Sequence, residues 1–456
     1  MRLLFKLLKW LFGALAAAVI VLLVALRVAP PELLQVGDSY AAKIACSNVF
    51  LAGRDASKVL ADDVQAPGNP ILKAVMLEVD KDANKVTARL LGYAAPRSSI
   101  YRPGYGCTNI ADESVALSTL PAPPEPVVPD PAAEWPAGNH AGNSFDPALA
   151  GILSDDTLRG PGMRAIVVVH HGKIVAETYG PGFDEKTPLI GWSMTKTVNA
   201  ILAGRAAELG LLSFDDAGLF ADWTNDERKT ITLKSMAAMQ SGLAYNEDYG
   251  DVSDVTRMLY LQPDMAKFTI SQPLVNKPDT DFNYSTGTSV AIARYWMSKM
   301  PDKATALAFP RKALFNPLGM QTAVLEVDQT DTFAAGSYLY ASARDWARIG
   351  QFLLQDGVWN GTRLVSETFM TMIRTANTTS GGTYTQMQSW LAGPGGDPNA
   401  SFGAPEDAYW LQGHDGQTVA VVPSRDLVVV RMGLTPSRLK YRPQTLLAAI
   451  AGKLKD

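Results

Sequence analysis

The sequence predicts an α/β chain of the α+β kind, with one antiparallel sheet completed by both ends of its largest domain and helices between. Two β-rich runs, Ala165–Val169 and Ile174–Tyr179, stand at the front of that domain. Three apolar runs, Ala408–Gln412, Thr418–Val422 and Leu427–Met432, stand near its end, with Pro423–Asp426 as a turn between the last two. An uncharged apolar segment near the N-terminus and a run of prolines mark off what precedes the domain.

The first element is topological. Arg2, Lys6 and Lys9 precede an uncharged stretch from Trp10 to Leu26, and Arg27, Pro30 and Pro31 follow it. As a helix this stretch spans roughly 25 Å, slightly less than a hydrocarbon core, a gap that Lys9 and Arg27 can close by snorkelling. Residues 1–31 are expected to be an uncleaved membrane anchor with its basic end inside, a cleaved signal peptide being the alternative. Either reading puts the remainder outside the cytoplasm, on the periplasmic or outer face of a bacterial inner membrane.

Residues 32–119 read as a small module. A helix over Leu33–Leu51 leads to a hairpin, Met76–Val79 and Val86–Leu91 around Asp80–Lys85, and Tyr101–Cys107 closes the module. The only cysteines, Cys46 and Cys107, both fall here, and in an oxidising compartment they are expected to form a disulfide; two buried thiols are the alternative. Six prolines between Leu120 and Trp135 predict an extended linker over residues 120–138. The large domain occupies residues 139–456. Within it Ser193–Leu209 reads as a helix stopped at Gly210, Ala341–Gln355 as another, and Pro443–Leu454 as a closing amphipathic helix.

With 456 residues the chain is long enough for two or three domains. A formal charge of −4 and the lack of a basic stripe exclude a nucleic-acid partner. Neither a metal nor a cofactor is expected: two thiols do not make a zinc site, and neighbouring His170 and His171 point to opposite faces of a strand. Nothing in the sequence bears on oligomeric state.

The chemistry is concentrated at Gly191-Trp192-Ser193-Met194-Thr195-Lys196. If Ser193 opens a helix, Lys196 lies one turn on along the same face, within reach of the hydroxyl. A serine hydroxyl needs a neighbouring base; a lysine serves if burial or nearby positive charge lowers its pKa, or as a cation it depresses the pKa of another base. The helix N-terminus adds positive potential where an oxyanion would form. Ser437-Arg438-Leu439-Lys440 repeats the spacing but opens no helix, and Thr195 stands where the G-x-S-x-G elbow of an α/β-hydrolase needs glycine.

Phe282-Asn283-Tyr284-Ser285-Thr286-Gly287 and Gly413-His414-Asp415-Gly416-Gln417 follow in that order. The ordered set resembles the serine β-lactamase and penicillin-binding superfamily. Its class C branch carries S-x-x-K, Y-x-N and K-T-G; its 6-aminohexanoate-dimer hydrolase and esterase members commonly have H-x-G in the last place. The likeness extends over residues 145–450, through Ser241-Gly242-Leu243, Glu247-Asp248-Tyr249 and Ala343-Arg344-Asp345. His140-Ala141-Gly142 and His170-His171-Gly172 also match H-x-G, but only His414 has the right order and a strand after it.

The resemblance implies a β-lactamase/transpeptidase-like fold and a serine hydrolase acting on a small ester or amide. Ser193 would be the nucleophile, with Lys196 and Tyr284 activating it. The N–H groups of Ser193 and Gln417 would form the oxyanion hole, and His414, Gly416, Thr286 and Tyr249 would contact substrate. Thr286 replaces the class C asparagine and His414 the lysine, which favours an esterase or amidase over a β-lactamase. A non-hydrolytic penicillin-binding sensor or a D,D-peptidase on the same fold is the alternative. The acidic residues Glu247, Asp248, Asp251 and Asp254 read either as a receptor for a substrate amine or as a solvated loop.

Overall fold

The computed structural model describes residues 2–66 and 68–454. The chain forms two compact units: Met1–Arg102 with Cys107–Ala116 and Asp248–Pro263, and Pro103–Gly106 with Leu117–Glu247 and Asp264–Asp456.

In the first unit, α1 (Arg2–Val28) is 27 residues long with no buried residue. The basic residues at both ends are drawn into the helix, so it reaches about 40 Å, long and apolar enough to cross a membrane. Helix α2 (Glu32–Phe50) buries Ala41, Ala42, Ile44 and Ala45. It packs on a four-stranded sheet of order β1-β2-β3-β4, formed by β1 (Val75–Asp80), β2 (Lys85–Leu90), β3 (Ala94–Arg102) and β4 (Gly106–Ile110). The expected hairpin is thus the first half of a meander. Cys46 and Cys107 are joined in a disulfide with Cα atoms 6.1 Å apart. A bridge closing 61 residues of chain stabilises by about 4 kcal/mol on the loop-entropy account.

Residues 248–263 fold with this unit rather than with the chain on either side of them. Ser253 caps the helix Asp254–Leu261. Its last carbonyls are taken by the N-terminal residues: Ser39 Oγ donates to Tyr260 O at 2.9 Å and Asn109 Nδ2 to Leu259 O at 3.3 Å. Linear boundaries at 119 and 139 give no sign of this exchange, because its partners lie more than a hundred residues apart.

In the second unit, β5 (Met163–His170) and β6 (Lys173–Tyr179) meet β7 (Tyr409–Gly413), β8 (Gln417–Val422) and β9 (Leu427–Gly433) in the order β7-β8-β9-β5-β6. All neighbours are antiparallel, and the two ends of the domain join where Val430 pairs with Val167. β5, β8 and β9 carry the apolar runs Ile166–Val169, Val419–Val422 and Leu427–Val430 because both of their faces are covered. Ile166, Val168, Ala420, Val422 and Val429 face the closing helix Pro443–Ala451 through Leu446, Leu447 and Ile450. On the other face the helix Ala343–Leu354 lies close enough that a Cβ at Gly350 would come 2.4 Å from Val428 Cγ1. His171 and Gly172 both have positive φ, which makes His170–Lys173 a tight hairpin turn, with His171 Nδ1 3.0 Å from Asp426 Oδ2.

The proline-rich stretch carries no regular element, but it is pinned to this unit. Asn316 Oδ1 accepts from Val127 N, Asn316 Nδ2 donates to Glu125 O, and Trp135 is buried beneath Arg348.

Candidate active site

Leu189–Ile190 pair with Leu339–Ala341, and this short ladder delivers the chain to α3 (Met194–Glu208). Gly191 is obligatory here: a Cβ would lie 2.2 Å from Trp346 Cζ2. Trp192 then takes a positive φ, and Ser193 sits at the N-cap, its side chain free of any capping bond. The hydroxyl is therefore available to partners other than its own helix.

Lys196 comes one turn later and is 1% exposed. Its Nζ donates to Ser193 Oγ at 2.9 Å, Thr286 Oγ1 at 2.8 Å and Gly336 O at 2.9 Å, which uses all three ammonium protons. Burial pulls its pKa down to about 8, against an opposing upward pull from the Glu247 charge. Tyr284 is half-buried, and Lys196 Nζ lies 4.8 Å from its ring centroid. Loss of hydration, then the Glu247 charge, push the phenol well above the ordinary tyrosine range, with only the Ser193 hydroxyl pulling it down. Tyr284 is thus a neutral phenol at physiological pH. Tyr384 and Trp390 wall its ring at 5.7 and 5.3 Å.

Thr286 opens the helix Thr286–Ser298, which Ser285 caps by accepting from Thr288 N at 3.0 Å. Gly336 must approach closely, since a Cβ there would lie 2.7 Å from Thr286 Cγ2. Glu247, read in the sequence as part of an acidic cluster, bonds to the start of this helix. Its Oε2 accepts the Thr286 N–H at 2.8 Å and its Oε1 accepts the Thr286 hydroxyl, so the carboxylate is a fixed part of the Lys196 surroundings. Asp248, Asp251, Asp254 and Tyr249 belong to the other compact unit, and Asp248 and Asp251 accept from Gly250 N and Val252 N in local turns.

The His414–Gly416 turn stands beside the Ser193 turn. A Cβ at Gly413 would fall 2.2 Å from Gly191 O, and the His414 ring meets Trp192 edge-on at 5.7 Å. His414 is exposed, with Nε2 3.5 Å from Asp415 Oδ1. Asp415 and Gly416 have positive φ, and the turn is braced from beneath. The Gln417 side chain accepts from Gly433 N at 2.8 Å and donates to His414 O at 3.3 Å. Arg431, fully buried, donates to Gly416 O at 2.9 Å, Arg159 O at 3.1 Å, Pro161 O at 3.1 Å and Thr435 Oγ1 at 2.7 Å, and stacks 4.7 Å over Tyr441.

The structure therefore gathers Ser193, Lys196, Tyr284 and Thr286, and sets His414, Gly416 and Gln417 next to them. Gly336 and Arg431 went unnoticed in the sequence because each acts through a backbone carbonyl, which has no residue signature. The other H-x-G copies lie elsewhere: His170 and His171 in the hairpin turn, His140 beside Glu134. Ser437–Leu439 is a single 3-10 turn and opens no helix.

This architecture is the β-lactamase/transpeptidase-like fold, and the family model described as Beta-lactamase matches residues 155–448. Among solved structures, a Bacillus anthracis protein provisionally assigned as a 6-aminohexanoate-dimer hydrolase aligns with a TM-score of 0.55 at 19% identity, covering 76% of this chain and 94% of its own. A family VIII carboxylesterase aligns at 0.51 and 14% identity, covering 69% and 98%. A class C beta-lactamase with a tyrosine-to-phenylalanine substitution aligns at 0.51 and 16%, covering 69% and 100%. A comparison with curated proteins finds no match. The sequence match and the shared fold agree: this chain belongs to the beta-lactamase family of serine hydrolases and penicillin-binding proteins.

Proposed function

We infer that the chain is a membrane-anchored, exported serine hydrolase that opens ester or amide bonds through an acyl-enzyme on Ser193. The observation that carries this reading is the Lys196 amine, buried, depressed to about 8 and 2.9 Å from Ser193 Oγ. At neutral pH about a tenth of such a group is unprotonated and able to take the serine proton.

Ser193 Oγ attacks the carbonyl carbon as its proton passes to Lys196 Nζ. The proton then reaches the leaving oxygen or nitrogen through Tyr284, whose ring lies 4.8 Å from Lys196 Nζ and which acts as a neutral relay, since burial leaves little phenolate. The N–H groups of Ser193 and Gln417 hold the oxyanion, a device worth about 3 kcal/mol per donor. Water releases the acid by the same steps reversed. His414 and Thr286 face a neutral or weakly polar acyl group, because neither is a permanent cation of the kind that anchors a substrate carboxylate. Helix α1 would hold the catalytic domain on the outer side of the membrane.

The test is labelling of the full chain in detergent with a fluorophosphonate probe, followed by turnover of neutral aryl esters, amides and β-lactams, with Ser193→Ala as the blank. Fast labelling with ester or amide turnover supports the reading. A stable penicillin adduct without turnover would make the protein a penicillin-binding sensor.

A further inference from the structure

Lys196 faces more than the nucleophile. Its Nζ donates to Thr286 Oγ1 at 2.8 Å, and that hydroxyl donates onward to Glu247 Oε1. The second carboxylate oxygen accepts the Thr286 N–H at 2.8 Å. Three side chains from three separate segments so make one continuous line from the amine to a half-exposed carboxylate. The line is not needed to cap the helix at Thr286, because Ser285 does that with its own hydroxyl. Its effect falls on Lys196: a threonine hydroxyl pinned at both ends can offer its lone pair to the amine in one direction only.

On the reading that Ser193 is the nucleophile, we propose that Glu247, acting through Thr286, is a positioning residue that aims the Lys196 amine at Ser193 and sets the pH at which that amine becomes competent. The carboxylate stands one hydroxyl away from Nζ, within the range where an opposite charge favours the ammonium by about one to three pH units. Burial and the Glu247 charge therefore oppose each other at Lys196, and the working pH is their balance. The other titratable groups facing the amine are phenols. Tyr284 lies under it and Tyr384 packs on Tyr284, and burial holds both protonated through the working range. Ser193 and the Gly336 carbonyl contribute no charge. Glu247 is the one carboxylate with a direct bond to a Lys196 partner among the described residues.

The experiment is the pH profile of kcat/KM on a neutral aryl ester and on an amine-bearing ester, for the full chain and for Glu247→Gln, Thr286→Val and Thr286→Ser. Glu247→Gln keeps the shape of the carboxylate and removes its charge. Its acidic limb should move down by about one to two pH units, giving a gain of about tenfold near pH 6, with the plateau within a few-fold of the parent. Thr286→Val should lower the plateau about ten- to a hundredfold, and Thr286→Ser should recover most of that loss. The proposal is overturned if the Glu247→Gln limb stays in place or rises, or if its only effect is a higher KM for the amine-bearing ester. Glu247→Gln and Thr286→Val are read independently, so a folding defect in one leaves the other decisive. If Ser193→Ala keeps its activity, the hydrolase reading itself fails; if it is inactive while both other variants match the parent, only the role of Glu247 and Thr286 falls.

Discussion

Raising the pH from about 6 to about 9 should increase kcat/KM on a neutral ester by about ninetyfold, the change in the unprotonated fraction of a group with a pKa of about 8. The sign follows from the chemistry, since the neutral amine is the form that accepts the Ser193 proton. Below the pKa the rate should climb tenfold per unit, and above it level off. A phenolate base would behave otherwise: burial and the Glu247 charge hold Tyr284 well above 10, so a Tyr284-driven rate would still be rising where the lysine profile is flat. The assay is initial-rate hydrolysis of a p-nitrophenyl ester whose own alkaline hydrolysis is subtracted, paired with fluorophosphonate labelling over the same range. Lys196→Met should lose about a hundredfold or more and flatten the limb. A profile that is level between pH 6 and 9, or that rises without a plateau, would refute the assignment of Lys196 as base.

Two further outcomes follow from groups the fold buries at some cost. Asp38 on α2 is 1% exposed; one carboxylate oxygen accepts from Leu90 N at 2.9 Å, and burial raises its pKa to about 7. The folded state therefore holds a proton that the unfolded chain releases near pH 4, so this group's favourable term is full below that pH and is lost as pH rises through 7. Asp38→Asn should stabilise the N-terminal unit by about 2–4 kcal/mol near pH 8 and change little near pH 4; calorimetry at both pH values checks this, and equal shifts at the two would contradict it. Arg431 braces the Gly416 carbonyl, so Arg431→Lys, which loses the planar fork, should lower kcat/KM by about ten- to a hundredfold while most of the chain stays folded. Parental activity in that variant would remove Arg431 from the positioning of the His414–Gln417 turn.

Much of this arrangement was legible in the sequence, and the rest was not for physical reasons. The sheet strands announced themselves because burial on two faces demands apolar runs such as Leu427–Val430. The Ser193–Lys196 pair was legible because helical periodicity converts a spacing of three into a contact. Glu247 was not, since its bond to Thr286 spans 39 residues and a glutamate in an acidic loop looks the same whether solvated or bonded to a helix start. Three of the Arg431 partners and the third partner of Lys196 are carbonyls, which every residue has. Residues 248–263 leave one unit for the other through hydrogen bonds to Ser39 and Asn109 that no local pattern signals. The proline run announces a stretch without helix or strand, but not that Asn316 fastens it to the domain.

The most direct measurement is the mass of the chain, then of its tryptic peptides, after brief exposure near pH 8 to a fluorophosphonate and to an activated ester, followed by an acid quench. One adduct per chain, mapped to Ser193 and absent in Ser193→Ala, is the predicted result. An adduct on any other residue, or parental ester turnover by Ser193→Ala, would contradict the account.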